Sequence, residues 1–194
     1  MNILIELGKL FNQRDETIHL SVDLLDRLFL KRNSNRIDKQ DTHPFLNLNL
    51  NIGVCFLIAS KYDELDENIP QIKHLARYFQ KMFPNSSNLF NYINFVECER
   101  YIMKELNWQL FFVLPIHFVK LLHANGVLFE DEQIVNFQIV LEEIEKNIDQ
   151  KLWHSLKYMH LLRKKKPSVI GAGIIYCIKE DALLASVKEN IIES

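Results

Sequence analysis

The stretch Leu50-Asn51-Ile52-Gly53-Val54-Cys55-Phe56-Leu57-Ile58-Ala59 places apolar residues at every angle around a helical turn. A helix that is apolar all round has to be buried all round. It falls short of the ~18 residues that cross a bilayer. Other helices must therefore wrap it, and the rest of the chain supplies them. Apolar residues recur at helical spacing throughout, strand-like alternation is nearly absent, and only five glycines and five prolines punctuate 194 residues. The predicted fold class is all-α.

The expected helices follow from periodicity and punctuation. Ile3 to Phe11 reads as the end of a first helix, one that begins before Met1. Asp15 offers an N-cap to a second, which carries Ile18, Val22, Leu25 and Leu28 or Phe29 on one face. Lys31 to His43 reads as a polar loop. A third helix is expected from Pro44 to Tyr62, a fourth opening at Pro70, and a fifth from Leu89 to Leu106 after a turn at Pro84-Asn85-Ser86-Ser87. Leu114-Pro115 marks a new start, and Asn125-Gly126 a stop. Beyond it come a helix over Asp131 to Asn147, a short segment from Trp153 to Leu162, a helix over Pro167 to Ile178 and a last one over Leu183 to Ile192. The expected division is 1–112 and 113–194, two helical bundles joined by a short linker. Each bundle holds one helix rich in small residues, 50–60 and 167–178.

Composition narrows the function classes. Hydrophobic residues make up 48% of the chain, which argues against disorder. A net charge of -2 leaves no general electrostatic footprint for nucleic acid. Cys55, Cys98 and Cys177 all lie in apolar helical patterns, which favours buried thiols and a reducing compartment. No signal peptide and no membrane-length apolar run is visible. The expected location is nucleus or cytoplasm, without membrane partners. No Gly-rich phosphate loop, nucleophile elbow or metal-spaced His/Cys cluster appears, so no enzyme activity, cofactor, metal or small-molecule substrate is expected. Gly171-Ala172-Gly173 lacks the strand and third glycine of a dinucleotide site. His117 and His123 lie six apart and share no helix face. Arg163-Lys164-Lys165-Lys166 is the one dense charge run; it reads as a solvated loop, with a nuclear-import signal or phosphate patch as alternatives.

Two charges sit at the edges of apolar faces. Lys61 closes the central helix in Ala59-Ser60-Lys61-Tyr62-Asp63-Glu64, and Glu99 interrupts the stripe Tyr92, Phe95, Ile102, Met103, Leu106. A charge on an apolar face needs a partner. Lys61 could simply favour the negative end of its helix, and Glu99 could pair with Arg100 or Lys104 in solvent. A docking surface for another protein is the alternative.

These residues resemble the cyclins. Ala59-Ser60-Lys61-Tyr62-Asp63-Glu64 is similar to the end of the central cyclin-box helix. Glu99 followed by Leu106-Asn107-Trp108-Gln109-Leu110 is similar to the fifth, and Asp26-Arg27 to the end of the second. Pro167-Ser168-Val169-Ile170-Gly171-Ala172 is similar to the start of a helix in the second cyclin fold, and Lys61 to Ile72 looks most like J-type cyclins. The resemblance covers roughly Ile3 to Lys179. It implies two cyclin-fold bundles, the second incomplete because a full one would continue past Ser194.

The resemblance further implies a regulatory subunit that binds and activates a cyclin-dependent serine/threonine kinase. Lys61 and Glu99 would grip main-chain groups of that kinase, with Leu57, Tyr62, Trp108 and Leu110 as apolar contacts. Core packing is the alternative for Leu57 and Leu110. Asp26 and Leu50 would be structural, Asp26 pairing with a first-helix arginine that would lie before Met1; Arg27 or Lys31 would stand in. Ile3 and Asn49 stand where the family usually has tryptophan and glutamine, so substrate docking through the usual patch is not expected. A cyclin-fold adaptor, or a transcription-factor-like scaffold without kinase activation, is the alternative function.

Overall fold

In this computed structural model, residues 2–35, 47–110, 112–127, 137–158, 162 and 164–193 are described, with side chains for all of these but 33–35 and 185–193. The chain divides into two compact units, Met1–Phe112 and Val113–Ser194. All regular structure among the described residues is helical.

The first unit holds α1 (Asn2–Leu10), α2 (Asp15–Asn35), α3 (Leu48–Asp63), α4 (Ile72–Met82) and α5 (Tyr92–Glu105), with 3₁₀ turns at Asp66–Asn68 and Pro84–Leu89. α3 is the hub, packed against α1, α2, α4 and α5. Every residue from Leu50 to Ser60 is buried, as an all-round apolar helix requires. The buried Ser60 hydroxyl donates to the Phe56 carbonyl (2.9 Å), so burial leaves it satisfied. Around α3 the rings of Phe79, Phe83, Phe90 and Phe95 pack at centroid distances of 5.3–6.4 Å. On the other side Arg32 of α2 is buried with its guanidinium 3.5 Å from the Asn51 side-chain oxygen. The Cys98 thiol of α5 also donates to that oxygen.

Several boundaries differ from the sequence reading. α2 runs through Asn35 instead of yielding to a loop at Lys31. Lys31 and Arg32 both reach other elements there, and these tertiary bonds outweigh weak local preference. α3 begins at Leu48, where the Asn47 side chain caps the Leu50 amide (3.0 Å); Pro44, its expected start, lies outside the described residues. Pro70 precedes α4 by two residues, the N-cap being Gln71. Asn91 caps α5 in the same way as Asn47 caps α3, through the Asn94 amide (2.9 Å).

The second unit comprises α6 (Pro115–Ala124), α7 (Phe137–Leu156) and α8 (Pro167–Glu193), with α8 packed on both others. His117 Nδ1 accepts from the Leu114 amide (2.9 Å) and closes the start of α6. α7 is continuous through Trp153, because Val140, Ile144, Ile148, Leu152 and Leu156 extend one buried stripe at four-residue spacing. Residues 131–136 of its expected span lie outside the described residues, as does Arg163. α8 likewise replaces two expected helices with one. No glycine or proline breaks Lys179-Glu180-Asp181-Ala182, Ile178 and Ala182 stay buried, and Asp181 pairs with Lys151 of α7. Gly171 sits where α8 meets α6: an added Cβ would stand 2.6 Å from Phe118 Cβ.

Candidate functional site

Lys61 and Glu99 are 38 residues apart in sequence, yet the packing of α3 on α5 brings them together. Lys61 Nζ lies 2.6 Å from Glu99 Oε1 and 2.9 Å from Oε2. Glu99 answers Lys61 across two helices, while Lys61 also stands in the last turn of α3, where a positive charge is favoured. The lysine side chain is 44% exposed and the glutamate 20%. An ion pair this open contributes at most about 1 kcal/mol to the fold. Stability is therefore a weak reason for its presence.

The neighbouring candidates separate into surface and core. Tyr62, next to Lys61, and Trp108, just past α5, are both exposed; Trp108 retains 68% of its surface. Leu110 is half-buried. Leu57 and Leu50 are fully buried in the α3 hub, so Leu57 offers no surface to a docking partner. Asp26 is half-buried on α2. Arg27 turns its Nε to Asp23 (2.8 Å), and Lys31 donates to the Glu105 carbonyl.

Two side-chain clusters that sequence reading missed hold the candidate surface in place. At the C-terminal end of α3 the Glu64 carboxylate, only 3% exposed, accepts from the Arg14 amide (2.8 Å) and from the Thr17 hydroxyl (2.6 Å). Its other oxygen lies 3.5 Å from the Arg14 guanidinium. Arg14 immediately precedes α2, so the carboxylate sits at that helix's positive end, where unpaired amides want an acceptor. The Thr17 hydroxyl has a single proton and stands 2.9 Å from Asp63 Oδ2 as well, so it serves the two carboxylates in turn. This knot fixes the turn that carries Lys61 and Tyr62.

At the opposite end of α2, Lys31 and Arg27 reach the turn after α5. Arg27 Nη1 donates to the Gln109 carbonyl (2.7 Å), with the guanidinium carbon 4.0 Å from the Phe112 ring centre. No residue spacing announces either cluster, because partners lie 46 to 82 residues apart. The one local signal was Asn107, a residue type tolerant of left-handed backbone directly after a helix.

Burial pushes the Cys98 thiol up to about 12, against a smaller opposing pull from Arg32, and raises Cys55 still further. Both are packing groups in their protonated form. Among the described residues no cluster of three or more His, Cys, Asp or Glu side chains could hold a metal ion, and no helix is long and apolar enough to cross a membrane.

The first unit is thus a helical module wrapped around one buried helix, with a surface ion pair joining that helix to the fifth. The family model for the cyclin N-terminal domain matches residues 1–111, and the chain belongs to the cyclin family. It is 26% identical over 122 residues to G2/mitotic-specific cyclin-1 of Saccharomyces cerevisiae, and 28% identical over 120 residues to G2/mitotic-specific cyclin-2 of the same yeast. It is 30% identical over 119 residues to G2/mitotic-specific cyclin-B2 of Oryzias latipes. These alignments cover 60–62% of this chain. They take in only 22%, 21% and 26% of the respective relatives.

Proposed function

We propose that this chain is the regulatory subunit of a cyclin-dependent serine/threonine kinase and activates it allosterically. The observation that carries this reading is the Lys61–Glu99 pair: two charges held together at an open surface, where they add little to stability. Pairing does not exhaust them. Lys61 has three donors, and Glu99 keeps acceptor sites beyond the two contacts it makes. Lys61 can therefore donate to a kinase carbonyl while Glu99 accepts from a kinase amide, both charge-assisted. Exposed Tyr62 and Trp108 are the apolar anchors, of the type that dominates interface energetics. No side chain here performs chemistry. Activation comes from tighter binding to the active conformer of the kinase than to the inactive one. The second unit is proposed to be a further cyclin-like bundle, and the working compartment to be the nucleus or cytoplasm, where such a kinase would be met.

The test separates docking from folding. Lys61→Ala and Glu99→Ala should each weaken affinity for the kinase by tenfold or more, in line with about 2–5 kcal/mol for truncating one partner of a buried charged contact. Each should shift stability of the isolated chain by less than about 1 kcal/mol. Binding that survives both substitutions would refute the assignment.

A further inference from the structure

We propose that Arg27 is a positioning residue, which sets the Trp108 turn in the conformation that docks the kinase. The inference rests on the kinase-binding reading above and adds to it a residue outside the proposed contact surface.

α5 ends in a recognisable cap. The Asn107 amide donates to the Lys104 carbonyl (3.0 Å) and the Trp108 amide to the Met103 carbonyl (2.9 Å), around a C-cap at Leu106. This is the Schellman arrangement, which calls for one left-handed residue just past the cap. Asn107, at φ 53°, fills that place. The cap does not call for a second. Trp108 nevertheless follows at φ 60°, a region that bulky side chains rarely adopt. The tryptophan is largely exposed, so its own burial does little to hold it there.

Within the turn the Gln109 amide donates to the Leu106 carbonyl (3.1 Å), across both left-handed residues. Further restraint comes from α2, on both sides of the turn. Lys31 holds the Glu105 carbonyl before it, and Arg27 holds the Gln109 carbonyl after it at 2.7 Å. Arg27 is itself fixed. Its side chain is 13% exposed, its Nε lies 2.8 Å from Asp23 Oδ2 one turn earlier on α2, and its guanidinium lies over Phe112. A planar fork that pairs, donates and stacks at once is something only arginine provides. An exposed aromatic on strained backbone between two anchored carbonyls is pre-organised for a partner: it loses little conformational freedom on binding.

The experiment compares the full chain with its Arg27→Met, Arg27→Lys, Trp108→Ala and Arg27→Met/Trp108→Ala variants, reading amide hydrogen exchange at Asn107, Trp108 and Gln109 together with kinase affinity. Arg27→Met should speed exchange at these three amides at least tenfold and weaken kinase binding about tenfold. Arg27→Lys should recover part of both. In the Trp108→Ala background, Arg27→Met should cost nothing further in affinity, because its effect runs through the tryptophan. An additive loss, or exchange left unchanged, would overturn the proposal. Should Arg27→Met fail to fold, Phe112→Leu removes the ring beneath the guanidinium and is held to the same two readouts. If the native chain binds no kinase, the proposed function falls. The exchange data then still judge the turn: unchanged protection would remove Arg27 as its brace as well.

Discussion

Glu64 shows how a single side chain can join two helix ends. Its nearly buried carboxylate takes the Arg14 amide and the Thr17 hydroxyl at the start of α2 while itself ending α3. Glu64→Ala leaves those donors without their acceptor, and should lower stability by about 1–3 kcal/mol in urea unfolding; a change within 0.3 kcal/mol, on the order of ordinary surface substitutions, would mean the knot is ornamental. The cysteines make a second residue-scale test. Cys55 and Cys98 are buried with raised thiol pKa values, so at pH 8 both stay protonated and shielded, whereas Cys177, against the expectation from its apolar pattern, is exposed. A thiol-specific reagent should react quickly with one cysteine in the native chain and with all three in denaturant. Fast reaction at Cys98 would contradict its burial. Lys61 and Glu99 were legible in the sequence because each breaks an apolar pattern on its own helix. Arg14, Thr17 and Arg27 were not, because an arginine or threonine at a helix edge looks like any solvated residue until its distant partner is known.

At the scale of elements, two glycines predict opposite outcomes. Gly53 lies where α3 passes the aromatic cluster, and an added Cβ would stand 2.7 Å from Phe79 Cε2 and 3.2 Å from Phe95 Cε1. Phe79 is fully buried against Phe90 and Phe95 and cannot step aside. Gly53→Ala should therefore destabilise the chain, overpacking of about 1–3 kcal/mol outweighing the gain in helix propensity of about 1 kcal/mol. Gly173 in α8 has open space where a Cβ would go. Gly173→Ala should leave stability unchanged or raise it by up to about 1 kcal/mol. Melting curves of both variants decide the matter, and a stabilised Gly53→Ala would contradict the close crossing. Helix existence was readable from periodicity almost throughout, and helix ends were not. The central helix was plain because its apolar run is uninterrupted. The joins within α7 and α8 were not legible, because Asp149-Gln150-Lys151 and Lys179-Glu180-Asp181 interrupt the apolar pattern locally. Such residues continue a helix readily where one face stays buried, as Ile178 and Ala182 show.

At the scale of the molecule, the first unit carries both the family match and every residue of the proposed docking surface. α2 braces that surface from both ends, through Arg14 and Thr17 at its start and Arg27 and Lys31 near its finish. The all-α class and the family were legible from the residues around Lys61 and Glu99. The brace was not, because it exists only once α2 lies against the ends of α3 and α5. The most direct measurement is co-purification of the full chain with a panel of monomeric cyclin-dependent kinases, followed by phosphotransfer to a histone-like substrate. A stable 1:1 complex, active with the native chain and lost with Lys61→Ala, is the predicted result. A chain that captures no kinase, or one whose complex forms and phosphorylates equally well without Lys61, would contradict it.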